Sequence, residues 1–515
     1  MSEIIFGPLL GLESDQLYSF CVLTRNDSPL QLKIADKLYP AKCLAQTPSG
    51  FFWRAEADIP GKQASQKLSY SWHQRDEEAA LSTQDKVSSW TFTVPGSTEP
   101  LNIAYASCNG FHHPRDKSKE KRDYALWHKM RLEQQHQPYH LLIMGGDQIY
   151  ADELPMSPSA PHLNLWFKSS EKQKLQAQDS PQIHQELDQL FERQYFNTWG
   201  QSDIAAMLAS VPSIMMWDDH DIIDGWGSYP KKKQVCPVFQ AIFHWANIYF
   251  RLFQLRGMQA PLLDGKHHAS YCVLFRRQLI VAMDNRSERK IKRIMNKKHW
   301  RLIHEKVDEL SPDADNILLL SAVPVVYPDF ERVEKIIGYI PYIRQWQDDI
   351  RDHWRASGHR KERAKLIRWL LSEPMQHFRQ RFILSGDVHV GGFGQLNRNK
   401  GQKAAGKDPL NWYQLISSGI VNYPPKSWAW PILRFFMDSG KEHKKGPKGW
   451  FCHLFRLGNK EKLLRKRNYL QMTIHESNTR LSWKTEALDI EHSVNADSKA
   501  KHRQTENKLA ANSDI

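Results

Sequence analysis

The chain has 515 residues, of which 41% are hydrophobic and 25% charged, and its formal net charge is +14 at pH 7. This composition is typical of a soluble globular protein, and the length predicts two or more structural units. No apolar run approaches the roughly 18–20 residues of a membrane-spanning helix, which excludes a helical integral membrane protein.

The first 97 residues have the pattern of a small β-sandwich domain. Segments rich in aromatic and β-branched residues predict strands at residues 17–23, 30–38, 50–57, 67–72 and 90–94. Pro95, Gly96 and Ser97 then break the pattern, and we interpret them as a linker.

From residue 98 to residue 490, strands alternate with longer helical patterns. Helices are predicted at residues 122–135, 202–209, 235–255 and 360–372. Strands are predicted at residues 103–107, 141–144, 214–217, 271–275, 278–283, 317–323, 381–385, 412–416, 469–474 and 479–483. This order predicts an α+β fold in which helices cover mixed sheets. The polar residues 491–515 are predicted to form a disordered tail.

Four of these predicted strands lead to a residue that can bind a metal ion or carry a proton. Those residues, in chain order, are Cys108, Asp147, Asp219 and His389. Open α/β proteins place their ligand sites at the carboxyl ends of strands, so we expect the four side chains to meet at one edge.

The donor atoms of this set indicate a transition-metal centre. Tyr150 and Cys108 could bind as phenolate and thiolate, and His389 offers a ring nitrogen. Such a mixed set suits iron, manganese or zinc better than magnesium alone. Singly, Cys108 could be a buried small hydrophobe, Tyr150 a core residue and Asp147 a helix cap. The three acids within residues 218–221 are harder to explain as ordinary residues, because they repel one another unless a metal cation or arginines compensate.

Five short motifs coincide with these strand ends. They are Ala106-Ser107-Cys108, Gly146-Asp147-Gln148-Ile149-Tyr150-Ala151-Asp152, Trp217-Asp218-Asp219-His220-Asp221, Asp284-Asn285-Arg286 and Ser385-Gly386-Asp387-Val388-His389. Together they resemble the PhoD-like branch of the calcineurin-like metallophosphoesterases, also called the alkaline phosphatase D family. The resemblance covers residues 101–425, and the β-rich start also looks like that family's N-terminal unit.

The resemblance implies both a fold and an activity. The fold would be a mixed-sheet α/β/β/α metallophosphoesterase sandwich preceded by a small β-sandwich domain. The activity would be that of a metal-dependent phosphoric ester hydrolase, a phosphatase or phosphodiesterase that uses a metal-activated water at a dinuclear-type centre. The metals implied are iron plus calcium, with manganese or zinc as alternatives. The expected substrate is a phosphate ester, and no specific nucleic acid is expected.

The resemblance also implies roles for individual residues. The implied metal ligands are Cys108, Asp147, Tyr150, Asp219, Asp387 and His389. His220 would donate a proton to the leaving group, and Arg286 would contact the phosphate. We further expect that Asp221, next to His220 in sequence, could hold and polarise its ring.

Two features of the chain depart from the family pattern. Ser107, Cys108 and Asn109 stand where the wider superfamily has an Asp-x-His motif, and the first residues lack the twin-arginine signal usual in the branch. The six cysteines are dispersed without paired spacing, which favours a reduced interior over a disulfide framework. We therefore expect a cytoplasmic protein.

The excess positive charge leaves other functions open. Lysine and arginine are concentrated at residues 231–233, 289–298 and 441–467. A solvated basic surface is the commonest interpretation of such runs, and contact with an anionic membrane or another polyanion is the alternative. The metal site could thus act on a phospholipid or polyphosphate. The protein could instead bind polyanions and keep only a vestigial metal site.

Overall fold

The computed structural model describes most of the chain. The described residues are 3–75, 88–112, 124–258, 262–327, 354, 358–398, 410–425, 430, 441–444, 449–457 and 461–497. Within them, no helix is both long enough and apolar enough to cross a membrane. All six cysteines are free thiols, and Cys43 is the exposed one.

The strands of the described residues are numbered in chain order. They are β1 (Ile4–Leu12), β2 (Leu17–Thr24), β3 (Leu30–Ile34), β4 (Lys37–Pro40), β5 (Lys42–Thr47), β6 (Gly50–Asp58), β7 (Gln66–Gln74), β8 (Ser89–Val94), β9 (Leu101–Ala106), β10 (Leu141–Gly145), β11 (Ser213–Met216), β12 (Tyr271–Phe275), β13 (Gln278–Met283), β14 (Asn316–Ser321), β15 (Gln380–Ser385), β16 (Gly391–Arg398), β17 (Trp412–Ile416), β18 (Lys441–His443), β19 (Trp450–Leu454), β20 (Leu463–Leu464), β21 (Tyr469–Ile474), β22 (Asn478–Lys484) and β23 (Ile490–Asn495).

The helices of the described residues are numbered in the same way. The α-helices are α1 (Ala125–His136), α2 (Pro161–Lys168), α3 (Glu171–Gln176), α4 (Pro181–Trp199), α5 (Ser202–Ser210), α6 (Lys231–Gln234), α7 (Pro237–Tyr249), α8 (Lys297–Leu310) and α9 (Arg360–Leu370). Short 3₁₀ helices lie at Ala151–Met156, Ser311–Asp313 and Glu373–Gln376, and a π-helical turn at Phe250–Gln254 continues α7.

Three sheets organise these elements. The largest has ten strands in the order β23-β22-β21-β9-β10-β11-β1-β2-β6-β5. The second has the order β12-β13-β14-β15-β17-β16-β19-β18, with β20 paired to β16, and the third is β4-β3-β7-β8. Parallel pairing joins β9, β10 and β11 in one sheet and β13, β14, β15 and β17 in the other. The predicted α+β class with mixed sheets is confirmed.

The two large sheets pack face to face. Trp483 of β22 donates its indole N–H to the carbonyl of Ile416 in β17 at 2.7 Å, and Tyr271 of β12 donates its hydroxyl to the carbonyl of Met215 in β11 at 2.6 Å. Alternate residues of β13 to β15 face this shared core, and the others pack under α8 and α9. A strand buried on both faces reads as a continuous apolar run, which is why the sequence pattern found these strands.

The N-terminal strands are joined to the strands of the following region. Strands β1, β2, β6 and β5 continue the ten-stranded sheet, and the four-stranded sheet completes their sandwich. The junction is the parallel pairing of β1 with β11, at Gly11 and Ser213. The buried Arg256 crosses it, because its Nη2 donates to the carbonyl of Ser213 at 2.9 Å and its Nε to the hydroxyl of Ser19 at 3.3 Å. A Cβ added at Gly11 would lie 1.9 Å from this guanidinium. A domain boundary at residue 97 stays a prediction.

Some sequence predictions differ from the observed elements. Residues 30–38 contain the two strands β3 and β4, because Ala35 has φ 49° and turns the chain between them. Strands β1 and β5 were not predicted. Residues 491–495, assigned to the tail, belong to β23, an edge strand whose residues are mostly exposed or half-buried. An edge strand with one solvated face reads as polar sequence.

Candidate metal centre

The loops after β9, β10, β11, β13 and β15 meet at the carboxyl ends of their strands, and the backbone there is strained. Eight described residues other than glycine have positive φ, and four of them lie in these loops. The four are Cys108 (φ 55°), Asp147 (φ 56°), Asp387 (φ 68°) and His389 (φ 51°). Such conformations cost about 1–3 kcal/mol each and persist where the surrounding structure imposes them. Their concentration at predicted ligand positions marks a functional centre.

Cys108 and Asp147 lie side by side. The Cys108 Sγ is 3.3 Å from the Asp147 Oδ2 and 3.0 Å from the Ser418 hydroxyl. Their loops are also joined through the backbone, since the Cys108 N–H donates to the Gly146 carbonyl at 3.2 Å and the Asn109 N–H to the Asp147 carbonyl at 2.8 Å. Burial, and then the neighbouring Asp147 carboxylate, raise the pKa of the Cys108 thiol well above its usual value. A cation would reverse that preference, because metal binding deprotonates a thiol.

The Asp147 carboxylate has one oxygen that the protein leaves unused. Its Oδ1 is buried and has no hydrogen-bond partner among the described residues. Ligand atoms of Asp147, Asp219 and His220 lie within 4.8 Å of one another, and so do those of Asp218, Asp219 and Asp387. Asp219 belongs to both groups. Two adjoining groups with a shared member and an unsatisfied buried oxygen fit a centre that binds metal ions.

The acids of this centre repel one another in the absence of cations. Burial first, and then the neighbouring carboxylates of Asp218 and Asp219, hold the pKa of Asp387 well above its usual range. Burial likewise raises the pKa of Asp147, although His220 opposes the shift. Bound cations would stabilise the ionised carboxylates and lower both pKa values.

Arg286 supplies positive charge to the acids, and its contact with the phosphate stays a prediction. Its side chain is fully buried, its Nε donates to Asp218 and its Nη2 donates to Asp219 at 3.2 Å. Burial opposes ionisation of Asp219, but Arg286 and then His220 hold the pKa of that carboxyl below its usual value. Asp284 positions the arginine by accepting from the Arg286 N–H at 2.9 Å and from the Trp217 indole at 3.0 Å. Arg286 therefore orients ligand carboxylates.

Tyr150 and His389 form a second neighbouring pair. The Tyr150 hydroxyl lies 3.5 Å from the His389 Nε2 and accepts from the Asn422 amide at 2.9 Å. The His389 N–H donates to the Ser418 hydroxyl at 2.7 Å. Burial, and then the nearby rings of His112 and His220, hold the pKa of His389 well below its usual value. A neutral imidazole is the form that binds a metal.

His220 is held by Asp152, and the expectation that Asp221 would hold it is wrong. The His220 Nδ1 lies 2.6 Å from the Asp152 Oδ2, and its ring stacks on Tyr150 with centroids 4.4 Å apart. Burial opposes protonation of His220, yet Asp152 and then Asp219 keep its pKa well above the usual value. This arrangement leaves the opposite ring nitrogen, Nε2, available for a proton transfer.

Asp221 instead holds the metal-ligand loops together. Its carboxylate accepts backbone N–H groups from Asp147 and Gln148 at 2.9 Å each, from Ile149 at 3.2 Å and from Asp218 at 2.8 Å. The Gln254 amide adds a fifth hydrogen bond at 2.9 Å. The carboxylate thereby fixes the loops after β10 and β11 against each other.

Sequence reasoning missed His112, Ser418 and Asn422. The His112 ring centroid lies 4.5 Å from that of His220 and 5.3 Å from that of His389, so it borders both functional groups. No pattern in the sequence marks His112. Ser418 and Asn422 follow the correctly predicted strand at residues 412–416. A search for polar residues after this strand, as was made after the other four, would have found them.

Comparisons with known proteins identify a family and a relative that this chain resembles. The sequence model of a family described as PhoD related phosphatase matches residues 80–346 and 343–441. An uncharacterized protein of Saccharomyces cerevisiae, YGR266W, is 27% identical over 455 residues. That match covers 73% of this chain and spans 63% of the yeast protein.

Two solved structures share the fold. One described as the structure of PhoD matches with a TM-score of 0.62 at 12% identity, covering 96% of this chain and 92% of that chain. The purple acid phosphatase PPD1 from yellow lupin (Lupinus luteus) seeds matches with a TM-score of 0.51 at 10% identity, covering 96% and 74%. At these identities the likeness shows the metallophosphoesterase fold.

The family match extends over well more than half of the chain and includes every residue of the centre described above. It also agrees with the fold of the two solved structures. The predicted resemblance is therefore confirmed, and the chain belongs to the family of PhoD-related phosphatases.

Proposed function

We propose that this protein hydrolyses phosphate esters, monoesters or diesters, at a centre of two metal ions. The observation that carries the proposal is that Asp219 has ligand oxygens within 4.8 Å of those of Asp147, Asp218 and Asp387, next to the unsatisfied Asp147 oxygen. A centre of this kind suits in-line displacement at phosphorus, because two cations can stabilise the attacking and the leaving oxygen together.

The donor set divides into two halves around Asp147. Cys108, Tyr150 and His389 offer sulfur, phenol oxygen and imidazole nitrogen on one side, which suits a transition ion such as iron, zinc or manganese. Asp219 and Asp387 offer oxygen on the other side, which also suits a harder cation such as calcium. When bound, the ions would act as Lewis acids that activate a water and neutralise charge on the phosphoryl oxygens.

His220 is the proton donor of the proposed reaction. Asp152 holds its Nδ1 at 2.6 Å and so orients the ring, with Nε2 free to transfer a proton. The water oxygen forms a P–O bond and loses a proton to solvent, the ester P–O bond breaks, and the proton from His220 goes to the departing alcohol oxygen. His220 then takes up a proton from solvent. Arg286 keeps the carboxylates of Asp218 and Asp219 in place during the reaction.

Metal analysis combined with activity assays tests the proposal. Protein purified without chelator should contain close to two metal ions per chain and hydrolyse nitrophenyl phosphate or bis-nitrophenyl phosphate. Asp147→Asn should lose both the metal and the activity, because an amide cannot bridge two cations as a carboxylate does. The matched control is Asp36→Asn, an exposed acid in the turn between β3 and β4, which should retain both.

The alternative hypothesis is that the protein binds polyanions and keeps only a vestigial metal site. It predicts a protein that purifies free of metal and hydrolyses neither ester. If wild-type protein retains no metal and hydrolyses neither ester even after reconstitution with iron, zinc, manganese and calcium, the proposed hydrolase is wrong.

A further inference from the structure

Three segments leave the metal centre and continue to the protein surface beside it. The 3₁₀ helix Ala151–Met156 starts directly after Tyr150, and its first N–H donates to the His220 carbonyl at 2.8 Å. Residues 224–235 follow the β11 loop, and the Asp224 N–H donates to the Asp152 carboxylate at 3.0 Å. A tight turn at residues 290–293 follows Arg286, with the Lys290 N–H donating to the Arg293 carbonyl at 2.7 Å.

Aromatic packing joins α2 to residues 228–235. The ring of Trp166 in α2 lies 5.6 Å from Phe239 of α7, and Tyr229 lies 5.0 Å from the same Phe239. The Lys233 ammonium is 4.4 Å from the Tyr229 ring, which ties α6 to this cluster. The third segment lies beside the second, because the Arg286 Nη1 donates to the Trp226 carbonyl at 3.2 Å and a Cβ added at Gly227 would lie 2.6 Å from the Arg289 side chain. We call the exposed side of residues 156–176, 228–235 and 290–293 the rim surface. Its parts are held together next to the residues of the candidate metal centre.

The rim surface combines basic and large apolar side chains. Exposed basic residues include Lys168, Lys172, Lys231, Lys232, Lys292 and Arg293. Exposed apolar residues are Leu165 (68% exposed), Val235 (58%), Ile291 (48%) and Met156 (45%). These are four of the seven large hydrophobic side chains that are exposed in the described residues. Scattered exposed hydrophobes are ordinary, but their concentration among lysines on one surface indicates a binding site.

The protruding apolar side chains are held in place by the protein. Helix α2 buries Leu163 and Trp166 and leaves Leu165 on the opposite side. The start of α2 is fixed by Glu186, whose carboxylate accepts from the Leu163 N–H at 2.9 Å and the His162 N–H at 3.1 Å. Leu165 is thus presented to solvent by an anchored helix.

This combination distinguishes between possible partners. A polyphosphate or nucleic acid is bound by positive charge and gains nothing from exposed leucine or isoleucine. An anionic bilayer attracts lysines through its surface potential and accepts apolar side chains into the headgroup region. An anionic bilayer therefore accounts for both the basic and the apolar residues of the rim surface.

We propose that the rim surface, next to the metal centre, docks on anionic lipid bilayers. The proposal concerns a binding partner and does not depend on which ester the centre hydrolyses. Docking would be peripheral and reversible, with the basic residues at the headgroups and Leu165 and Ile291 inserted between them.

Vesicle co-sedimentation of the full chain tests the charge requirement. Wild-type protein should bind phosphatidylcholine vesicles that contain about 30% phosphatidylserine, and bind pure phosphatidylcholine far more weakly. The triple variant Lys231→Gln, Lys232→Gln, Lys292→Gln should bind the anionic vesicles about 100-fold more weakly, at about fivefold for each charge removed.

A second variant tests the apolar requirement. Leu165→Ser combined with Ile291→Ser should weaken vesicle binding about tenfold or more and leave binding to long-chain polyphosphate unchanged. The matched control is Lys37→Gln, Leu38→Ser, Lys42→Gln, which removes exposed residues of the same types from β4 and β5 at the far edge of the N-terminal sandwich. The control should bind vesicles like wild type.

The outcomes separate this proposal from the proposed function. Soluble-ester hydrolysis and melting temperature should be unchanged in all three variants, since none alters the metal centre. Equal loss of vesicle binding in the control and the rim variants would overturn the membrane surface, as would wild-type binding that does not distinguish anionic from neutral vesicles. Specific vesicle binding by a protein without esterase activity would support the docking surface and contradict the hydrolase.

Discussion

At the scale of single residues, Asp221 shows how one buried carboxylate can hold together the loops of a candidate metal centre. Its oxygens accept four backbone N–H groups from the loops that carry Asp147 and Asp218. Adjacent in sequence to His220, it was expected to orient that ring. The side chain points elsewhere, because the backbone donors of the β10 loop converge on it.

Asp221→Asn should therefore damage metal retention and stability together. An amide oxygen can replace only some of the hydrogen bonds, and its NH₂ group would face backbone donors. We expect a loss of about 1–3 kcal/mol in unfolding free energy and about 10–100-fold in metal affinity. Metal titration and a melting curve measure the two effects. Retention of full metal affinity would show that the loops hold their shape without this carboxylate.

His220 and Asp152 are expected to act as a unit. His220→Gln should slow hydrolysis of alkyl phosphate esters about 10²-fold or more, because an alkoxide leaves poorly without a proton. Nitrophenyl esters should lose much less, since nitrophenolate has a pKa of roughly 7. Asp152→Asn should give the same pattern with a smaller loss on alkyl esters, and it should cause little further loss when added to His220→Gln. Equal losses on both esters would instead indicate a role in metal support.

At the scale of secondary-structure elements, strand ends were predictable and loop contacts were not. Buried strands such as β13 and β15 are unbroken apolar runs, so the sequence located them and the ligands that follow them. The hydrogen bonds that set the roles of Arg286 and Asp221 depend on how loops from different strands meet, which no local pattern records. The edge strand β23 was missed for another reason, because its solvated residues resemble a polar tail.

The last strand gives an element-scale prediction. Removing residues 498–515 should leave the melting temperature unchanged, whereas removing residues 491–515 should lower it by several degrees. The longer deletion removes β23 and also Asp497, whose carboxylate lies 2.7 Å from the buried Arg381 guanidinium. A buried charge without its partner is strongly destabilising.

Both truncated proteins should hydrolyse a soluble ester normally at moderate temperature, because β23 is separated from β10 by three strands. Calorimetry and a nitrophenyl phosphate assay are sufficient. Identical melting curves for the two truncations would show that β23 adds nothing to the sheet.

At the scale of the whole molecule, the N-terminal strands and the phosphoesterase share one sheet. The predicted boundary at residue 97 describes a change in sequence pattern, whereas the backbone pairing of β1 with β11 runs across it. A protein that starts at residue 98 would expose the edge of β11 and leave Arg256 without Ser19. We expect such a protein to aggregate or to lose fixed tertiary structure, as judged by near-ultraviolet circular dichroism.

A fragment 98–515 with the native melting temperature and metal content would contradict this expectation and establish two independent units. Arg256→Met in the full chain provides a milder perturbation of the same junction. This substitution removes the guanidinium that donates to Ser19, Gln254 and Ser213 but keeps every strand. The drop in unfolding free energy therefore measures what the junction contributes, separately from the loss of the N-terminal strands.

The position of β1 also dictates an order of events during synthesis. Its neighbour β11 begins at Ser213, so at roughly 5–20 residues per second the ribosome needs about 10–40 s to supply it. Strand β9 waits longer still, because its neighbour β21 begins only at Tyr469. Through that interval both strand edges are open to chaperones and to other nascent chains. The proposed metal centre can form only after residue 422 has been synthesised, because its residues run from Cys108 to Asn422.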